Sequence, residues 1–232
     1  IYSIADPSST SDSDGFVSVS NSSFVGNLAS EYGGAILAEG AGAVELSNCS
    51  FAGNEAVGTG GVRRSGSGGA VYASPGVFVT VLNSSFEGCL GRYGGSALFL
   101  CGGEVVDSTF DGNEATGLFG AVVNGDLDDE DRLNAALSLG VTAPGENYTC
   151  PELTISGTSF MDNIASSGYG GAMASVDASL SVYNSSIVDS IGGALYFGTS
   201  SRDGRDRLEV SEVLQFLVGG GRAYSIVHDT TP

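Results

Sequence analysis

Residues 44–54 read VELSNCSFAGN and residues 68–71 read GGAV, and this succession of an alternating strand, an F-x-x-N step and a later G-G-A-hydrophobic step decides the fold. Val44 and Leu46 alternate with polar neighbours, which is the period of a strand with one buried face. The same succession returns along the chain, with Phe24, Phe51, Phe86, Phe110, Phe160 and Ile187 marking six copies. Three residues after each marker stand Asn27, Asn54, Cys89, Asn113, Asn163 and Ser190, and further on come Ala35, Ala70, Ala97, Ala121, Ala172 and Ala194. Seven and five places before the markers lie Val17 and Val19, Val44 and Leu46, Val79 and Val81, Leu153 and Ile155, Leu180 and Val182, while the fourth copy has Gly103 ahead of Val105.

The markers are 27, 35, 24, 50 and 27 residues apart. A unit of roughly 24 to 27 residues, holding short strands and no helical stretch, fits one coil of a solenoid whose coils bury their inner faces on one another. The expected fold is therefore all-β, a right-handed parallel β-helix of about six to eight coils in one domain. Equivalent residues of successive coils then lie about 4.8 Å apart, so phenylalanine stacks on phenylalanine and asparagine on asparagine. An inward asparagine satisfies its amide against those above and below, and Gly-Gly permits a sharp corner. The expected division is an N-terminal arm or cap at 1–15, the β-helix at 16–198 with a lateral insertion at 124–149, and a degenerate last coil with a C-terminal cap or assembly segment at 199–232.

Composition narrows the function. The chain has 41% hydrophobic residues, too many for disorder, and its 37 glycines with five prolines exclude collagen and a proline-rich stalk. A net charge of −19, with no lysine, argues against nucleic acid as a partner. No run of eighteen apolar residues is present, so no membrane-spanning helix is expected. The start at Ile1 implies a processed product or a fragment.

The motifs FVGN with GGAI, FAGN with GGAV, and FMDN with GGAM resemble the paired repeats of chlamydial polymorphic membrane proteins and of related secreted pectin-lyase-like β-helices. The resemblance spans about residues 16 to 198. It implies a right-handed parallel β-helix used for adhesion or as a passenger at the cell surface. Among the departures from the pattern, FEGC places Cys89 where asparagine is usual, and FGAV, residues 119–122, lacks the first glycine.

Two intervals exceed one coil. The shorter excess, residues 59–67, places Arg63 and Arg64 in a loop as solvated charges. The longer carries the acids Asp126, Asp128, Asp129, Glu130 and Asp131, followed by Leu133, Ala136 and Leu137 at helical spacing and Gly140, which predicts a short capped helix. A degenerate further coil is the alternative. The acids fail the EF-hand pattern, since its glycine and glutamate positions hold Asp131 and Leu137, leaving only an incidental surface calcium.

Cys101 precedes Phe110 by nine residues and Cys150 precedes Phe160 by ten, so both stand before the same strand in coils flanking the insertion. This register predicts a Cys101–Cys150 disulfide. Cys49 and Cys89 are offset by five residues on adjacent coils, roughly 16 Å of extended chain, and are expected to be small buried core residues.

Sequons occur at Asn21, Asn48, Asn83, Asn147 and Asn184, four of them at one coil position. N-glycans are expected on several, although asparagine at a coil corner has its own structural reason. No catalytic residues are assigned: His228 is a lone histidine near the end, and Asp107, Asp111, Asp162, Asp177 and Asp189 are read as scattered over different coil positions. Tyr72, Phe99 and Tyr196 suggest an outward aromatic row, open to sugars or a subunit contact, or packed on a neighbouring loop. The chain thus reads as an extracellular structural or adhesive module of the cell surface, without enzyme activity, cofactor or resident metal. Its expected partners are copies of itself in end-to-end stacking, other surface glycoproteins, or carbohydrate. The rival from another class is a polysaccharide-binding or polysaccharide-degrading pectin-lyase-like protein.

Overall fold

Parallel strands pair in four sheets that run along the molecule, with eight, seven, seven and five strands. The computed structural model describes residues 1–4, 15–40, 42–59, 65–117, 119–125, 150–166, 168, 170–176, 178–198, 207–211, 214–216 and 227–229. The valine face contains Gly15–Ser20, Gly42–Ser47, Val77–Leu82, Gly103–Val106, Cys150–Ser156, Ala178–Tyr183 and Leu208–Ser211. The phenylalanine face contains Ser23–Val25, Ser50–Ala52, Ser85–Glu87, Thr109–Asp111, Ser159–Met161, Ser186–Val188 and Leu214–Phe216. A short face of two-residue strands runs from Leu28–Ala29 to Ile164–Ala165. The alanine face starts one strand early with Tyr2–Ile4 and continues through Ile36–Glu39, Val71–Ala73, Leu98–Leu100, Val122–Gly125, Met173–Val176, Leu195–Gly198 and Val227–Asp229. The chain visits the faces in this order, and the result is a right-handed parallel β-helix with seven coils among the described residues.

The hydrophobic alternation sets which face is inside. Val17, Val44, Val79, Gly103, Leu153, Leu180 and Leu208 share one register, and Val19, Leu46, Val81, Val105, Ile155, Val182 and Val210 share the next inward one. On the adjoining face the phenylalanines stack. Ring centroids are 4.8 Å apart for Phe24–Phe51, 4.7 Å for Phe51–Phe86, 4.8 Å for Phe86–Phe110 and 4.9 Å for Phe110–Phe160, with the planes within 9° of parallel. That repeat is the hydrogen-bonding distance between strands, so the backbone ladder dictates the ring spacing. With the G-G-A alanines and Ile36, Leu98, Met173 and Phe197 of the alanine face, these residues form one continuous core.

Asparagine carries polarity into that core without leaving it unpaired. Asn113 Nδ2 donates to Phe86 O at 3.0 Å and to Asn163 Oδ1 at 3.0 Å, while Asn163 Nδ2 donates to Phe110 O at 2.9 Å. Asn27 Nδ2 and N–H both donate to Asn54 Oδ1, at 2.8 and 3.0 Å. Asn54, Asn113 and Asn163 are fully buried.

No additional coil is inserted in the stack between those flanking the 50-residue interval. Gly103–Val106 pairs directly with Leu153–Ser156, and Val122–Gly125 with Met173–Val176, so the coils on either side of residues 126–149 touch each other. The expected helix at Leu133–Leu137, the acid run from Asp126 and the arginines Arg63 and Arg64 lie outside the described residues.

Phe86 sits mid-stack with both neighbouring rings in place, and truncating it leaves a hole that two rigid ladders cannot close. Phe86→Ala is expected to cost about 3–5 kcal/mol in urea unfolding. A loss under about 1 kcal/mol would show that the stacked rings do not carry the core.

Candidate functional site

The sequon row lies on the corner between the valine and phenylalanine faces. Asn21, Asn48, Asn83 and Asn184 are exposed, and each has a left-handed backbone, with φ of 48°, 53°, 47° and 45°. Two coils without a sequon fill the same corner with Asp107 at φ 49° and Gly157 at φ 59°. A left-handed residue with a Cβ costs about 1–2 kcal/mol, least for asparagine and aspartate and nothing for glycine. Asparagine is therefore at this corner for the backbone's sake, whether or not it carries a glycan. The fifth sequon, Asn147, lies outside the described residues.

The other two sequon positions also have structural duties. The middle residue turns inward: Ser84, Ser108, Thr158 and Ser185 each donate a hydroxyl to the carbonyl two residues back, at 2.7–2.8 Å. Each also accepts the N–H of the residue one coil earlier, from Cys49, Ser84, Ser108 and Thr158 in turn, at 3.0–3.4 Å. The last residue faces outward in a row, Ser23, Ser50, Ser85, Thr109, Ser159 and Ser186, in which Ser50 donates to Ser23 at 2.9 Å and Ser186 to Ser159 at 3.0 Å. The inward hydroxyl ladder is absent from the expectations above. Its signal was the run of Ser or Thr after the corner, hidden because Cys49 interrupts it.

Both free cysteines are substituted rungs. Cys49 takes the hydroxyl place, its thiol directed to Ser47 O at 3.4 Å and Val19 O at 3.5 Å. Cys89 takes the asparagine place: its N–H donates to Asn113 Oδ1 at 3.0 Å, and its thiol points to Phe51 O at 3.7 Å, where an asparagine amide would sit. Burial pushes the Cys89 thiol up, outweighing donors from Asn54, so it stays protonated. Cys101 and Cys150 form a disulfide with Cα atoms 5.0 Å apart, packed on Ala178. Beside it, buried Asn124 accepts from Gly102 N at 2.8 Å and donates to Ser179 O at 3.2 Å, which ties down the corner where residues 126–149 leave.

The aromatic row is not an open platform. Leu37, Tyr72, Phe99, Val123, Ala174 and Tyr196 share the outward register of the alanine face. Tyr72 is only 7% exposed and Phe99 2%, because they pack in a second core with Tyr93 and Phe119 from the turns leading into Leu98–Leu100 and Val122–Gly125. Phe119 stands where FGAV lacks its glycine, so that departure serves the cover. Asp162 and Asp189 also correct the sequence reading, since they share one left-handed corner with Gly26, Gly53, Gly88 and Gly112. Asp177 lies outside the described residues, and His228 is placed in the last strand, in register with Phe197. Among the described residues, no three His, Cys, Asp or Glu side chains are grouped to hold a metal ion, and no helix is long and apolar enough to cross a membrane.

Residues 21–39 match the family model described as the Chlamydia polymorphic membrane protein repeat. The matched stretch contains the first F-x-x-N and G-G-A-I. No curated protein and no solved structure matches the chain.

At the corner, Asn83→Gly is expected to change stability by less than about 0.5 kcal/mol, and Asn83→Val to cost about 1–2 kcal/mol, because only the second opposes the left-handed backbone. Equal costs in chemical denaturation would remove the backbone explanation. Within the ladder, Cys89→Asn should stabilise by about 1 kcal/mol by restoring an amide rung. Alkylation at mildly alkaline pH should label no cysteine in the native chain, two after denaturation and four after denaturation with reduction. Labelling of native Cys89 would contradict its buried, protonated state.

Proposed function

We propose that the chain is an extracellular structural or adhesive module of a cell surface, working as a rigid stack that displays its outer rows and not as an enzyme. The observation that carries this reading is the repeated outer corner: exposed Asn21, Asn48 and Asn83 on consecutive coils, followed by the outward hydroxyl row. A periodic, mostly uncharged edge on a long core is suited to multivalent contact, in which many weak identical sites add up. The match to a polymorphic membrane protein repeat supports a surface location. Burial of Tyr72 and Phe99 removes the stacking platform a sugar-binding or sugar-cleaving groove would use, which favours scaffold over enzyme. N-glycans on the exposed sequons belong to this proposal, with Asn21, Asn48, Asn83 and Asn184 as acceptors.

Beads coated with the full chain are expected to adhere to cells, and the chain should release no reducing ends from soluble polysaccharides. Secreted from a eukaryotic host, it should exceed its sequence mass by whole glycans that a glycosidase removes. A bare-sequence mass would discard the glycans alone; polysaccharide cleavage would discard the scaffold reading.

A further inference from the structure

The sequons on consecutive coils are each pinned by the coil that follows. Asn21 N–H donates to Ser47 O, Asn48 N–H to Leu82 O and Asn83 N–H to Val106 O, all at 3.0 Å. The middle residue also points forward: Cys49 N–H donates to Ser84 Oγ at 3.0 Å and Ser84 N–H to Ser108 Oγ at 3.2 Å. Only the third residue donates backwards, Ser50 N–H to Ser22 O and Ser85 N–H to Cys49 O, both at 2.9 Å. In the Asn48 and Asn83 sequons, two of the three amides therefore lack these partners until the next coil is in place. Those partners come late in the chain, since Ser84 lies 35 residues after Cys49, and Ser108 lies 24 after Ser84. At about 5–20 residues per second of synthesis, such gaps last about 1–7 s. Closure also removes room. Neighbouring corners lie about 4.8 Å apart, whereas a layer of enzyme atoms between them needs about 7–8 Å, one contact on each side. Asn21, Asn48 and Asn83 are thus exposed to water, yet their backbone cannot leave the stack to enter an active site while Cys49 and Ser84, each 3% exposed, are buried beside them.

We propose that Asn21, Asn48 and Asn83 accept glycans only on the growing chain, and that docking of the next coil ends the modification of each. The inference rests on the glycan reading above and adds the step of folding that controls it. The donor is an oligosaccharide carried on a lipid diphosphate. Asparagine Nδ2 bonds to the anomeric carbon of the first sugar, and the bond from that carbon to the diphosphate oxygen breaks. Its electron pair stays on the departing lipid diphosphate, and one Nδ2 proton passes to solvent. A glycan added in time does not hinder closure, because the asparagine side chain is exposed and the donors that closure uses are backbone amides. Once the coil has closed, modification has to wait for the corner to open again.

The test is the order of addition. The full chain is synthesised cell-free under oxidising conditions, with a purified single-subunit oligosaccharyltransferase and lipid-linked oligosaccharide present either from the start or only after folding. Peptide masses then give the occupancy of each site. Occupancy at Asn21, Asn48 and Asn83 is expected to be at least about tenfold lower when the enzyme arrives after folding. Ser84→Ala preserves the Asn83 sequon but removes the acceptor of Cys49 N–H. With late enzyme it should speed modification of Asn48 at least about fivefold and leave Asn21 unchanged. Equal occupancy in both orders overturns the proposal and leaves the sequons as acceptors. Equal acceleration of Asn21 and Asn48, in a variant that still shows a folded urea transition, does the same. A chain left bare in both orders overturns it together with the glycan reading. The order-of-addition comparison uses the unaltered chain, so it decides the matter even if Ser84→Ala fails to fold.

Discussion

A buried amide that only a neighbouring coil can satisfy is the constraint behind the stack. Asn113 makes three contacts inside the core and none of them lies within its own coil: it donates to Phe86 O before it and to Asn163 Oδ1 after it, and its oxygen receives the Cys89 N–H. An unpaired buried amide costs about 1–3 kcal/mol, so a slip of register by one residue would strand every rung at once. Apolar alternation tolerates some sliding, since valine packs on leucine nearly as well as on valine. The amides do not. Phenylalanine stacking follows, because rings in register lie at the strand spacing without adjustment.

Left-handed corners are the second constraint, and they act on sequence more visibly than packing does. Each complete circuit places a residue near φ 50° between the valine and phenylalanine faces and another on leaving the phenylalanine face. The first corner accepts Asn, Asp and Gly; the second, Gly and Asp. This choice produces sequons as a by-product, with the hydroxyls after the corner fixed by the inward ladder and the outward row. Glycosylation would therefore exploit residues the backbone had already selected.

The stack was legible because every interior position recurs: Phe, Asn and Gly-Gly-Ala each mark an environment found nowhere else in the coil. Single departures were harder to read. Cys89 looked like a broken motif, yet its thiol occupies the amide site and points to Phe51 O. Phe119 looked like a lost corner glycine, and only its contact with Val123 and Tyr196 explains it. The outward row of Tyr72 and Phe99 is legible from spacing, but its cover is not, because Tyr93 and Phe119 stand at different places in their turns and follow no period. Asp162 and Asp189 look scattered along the chain, yet counted from Phe160 and Ile187 both fall two residues on, at one corner.

A solenoid has no intrinsic length, because each coil is stabilised by its neighbours and the same contact repeats. A coil with charge on its outer edge gains less from a further neighbour than an uncharged one. Arg207 and Glu209 form an ion pair at the strand that follows Ala178–Tyr183 in its sheet, and Gln215 takes the phenylalanine register after Ile187. Residues 15–30 have the opposite composition, uncharged, with Phe24 partly buried and Asn27 exposed. The Phe, Asn and hydroxyl ladders repeat at the strand spacing throughout the described coils, so each neighbouring pair contributes the same contact and the stability of the stack grows with their number.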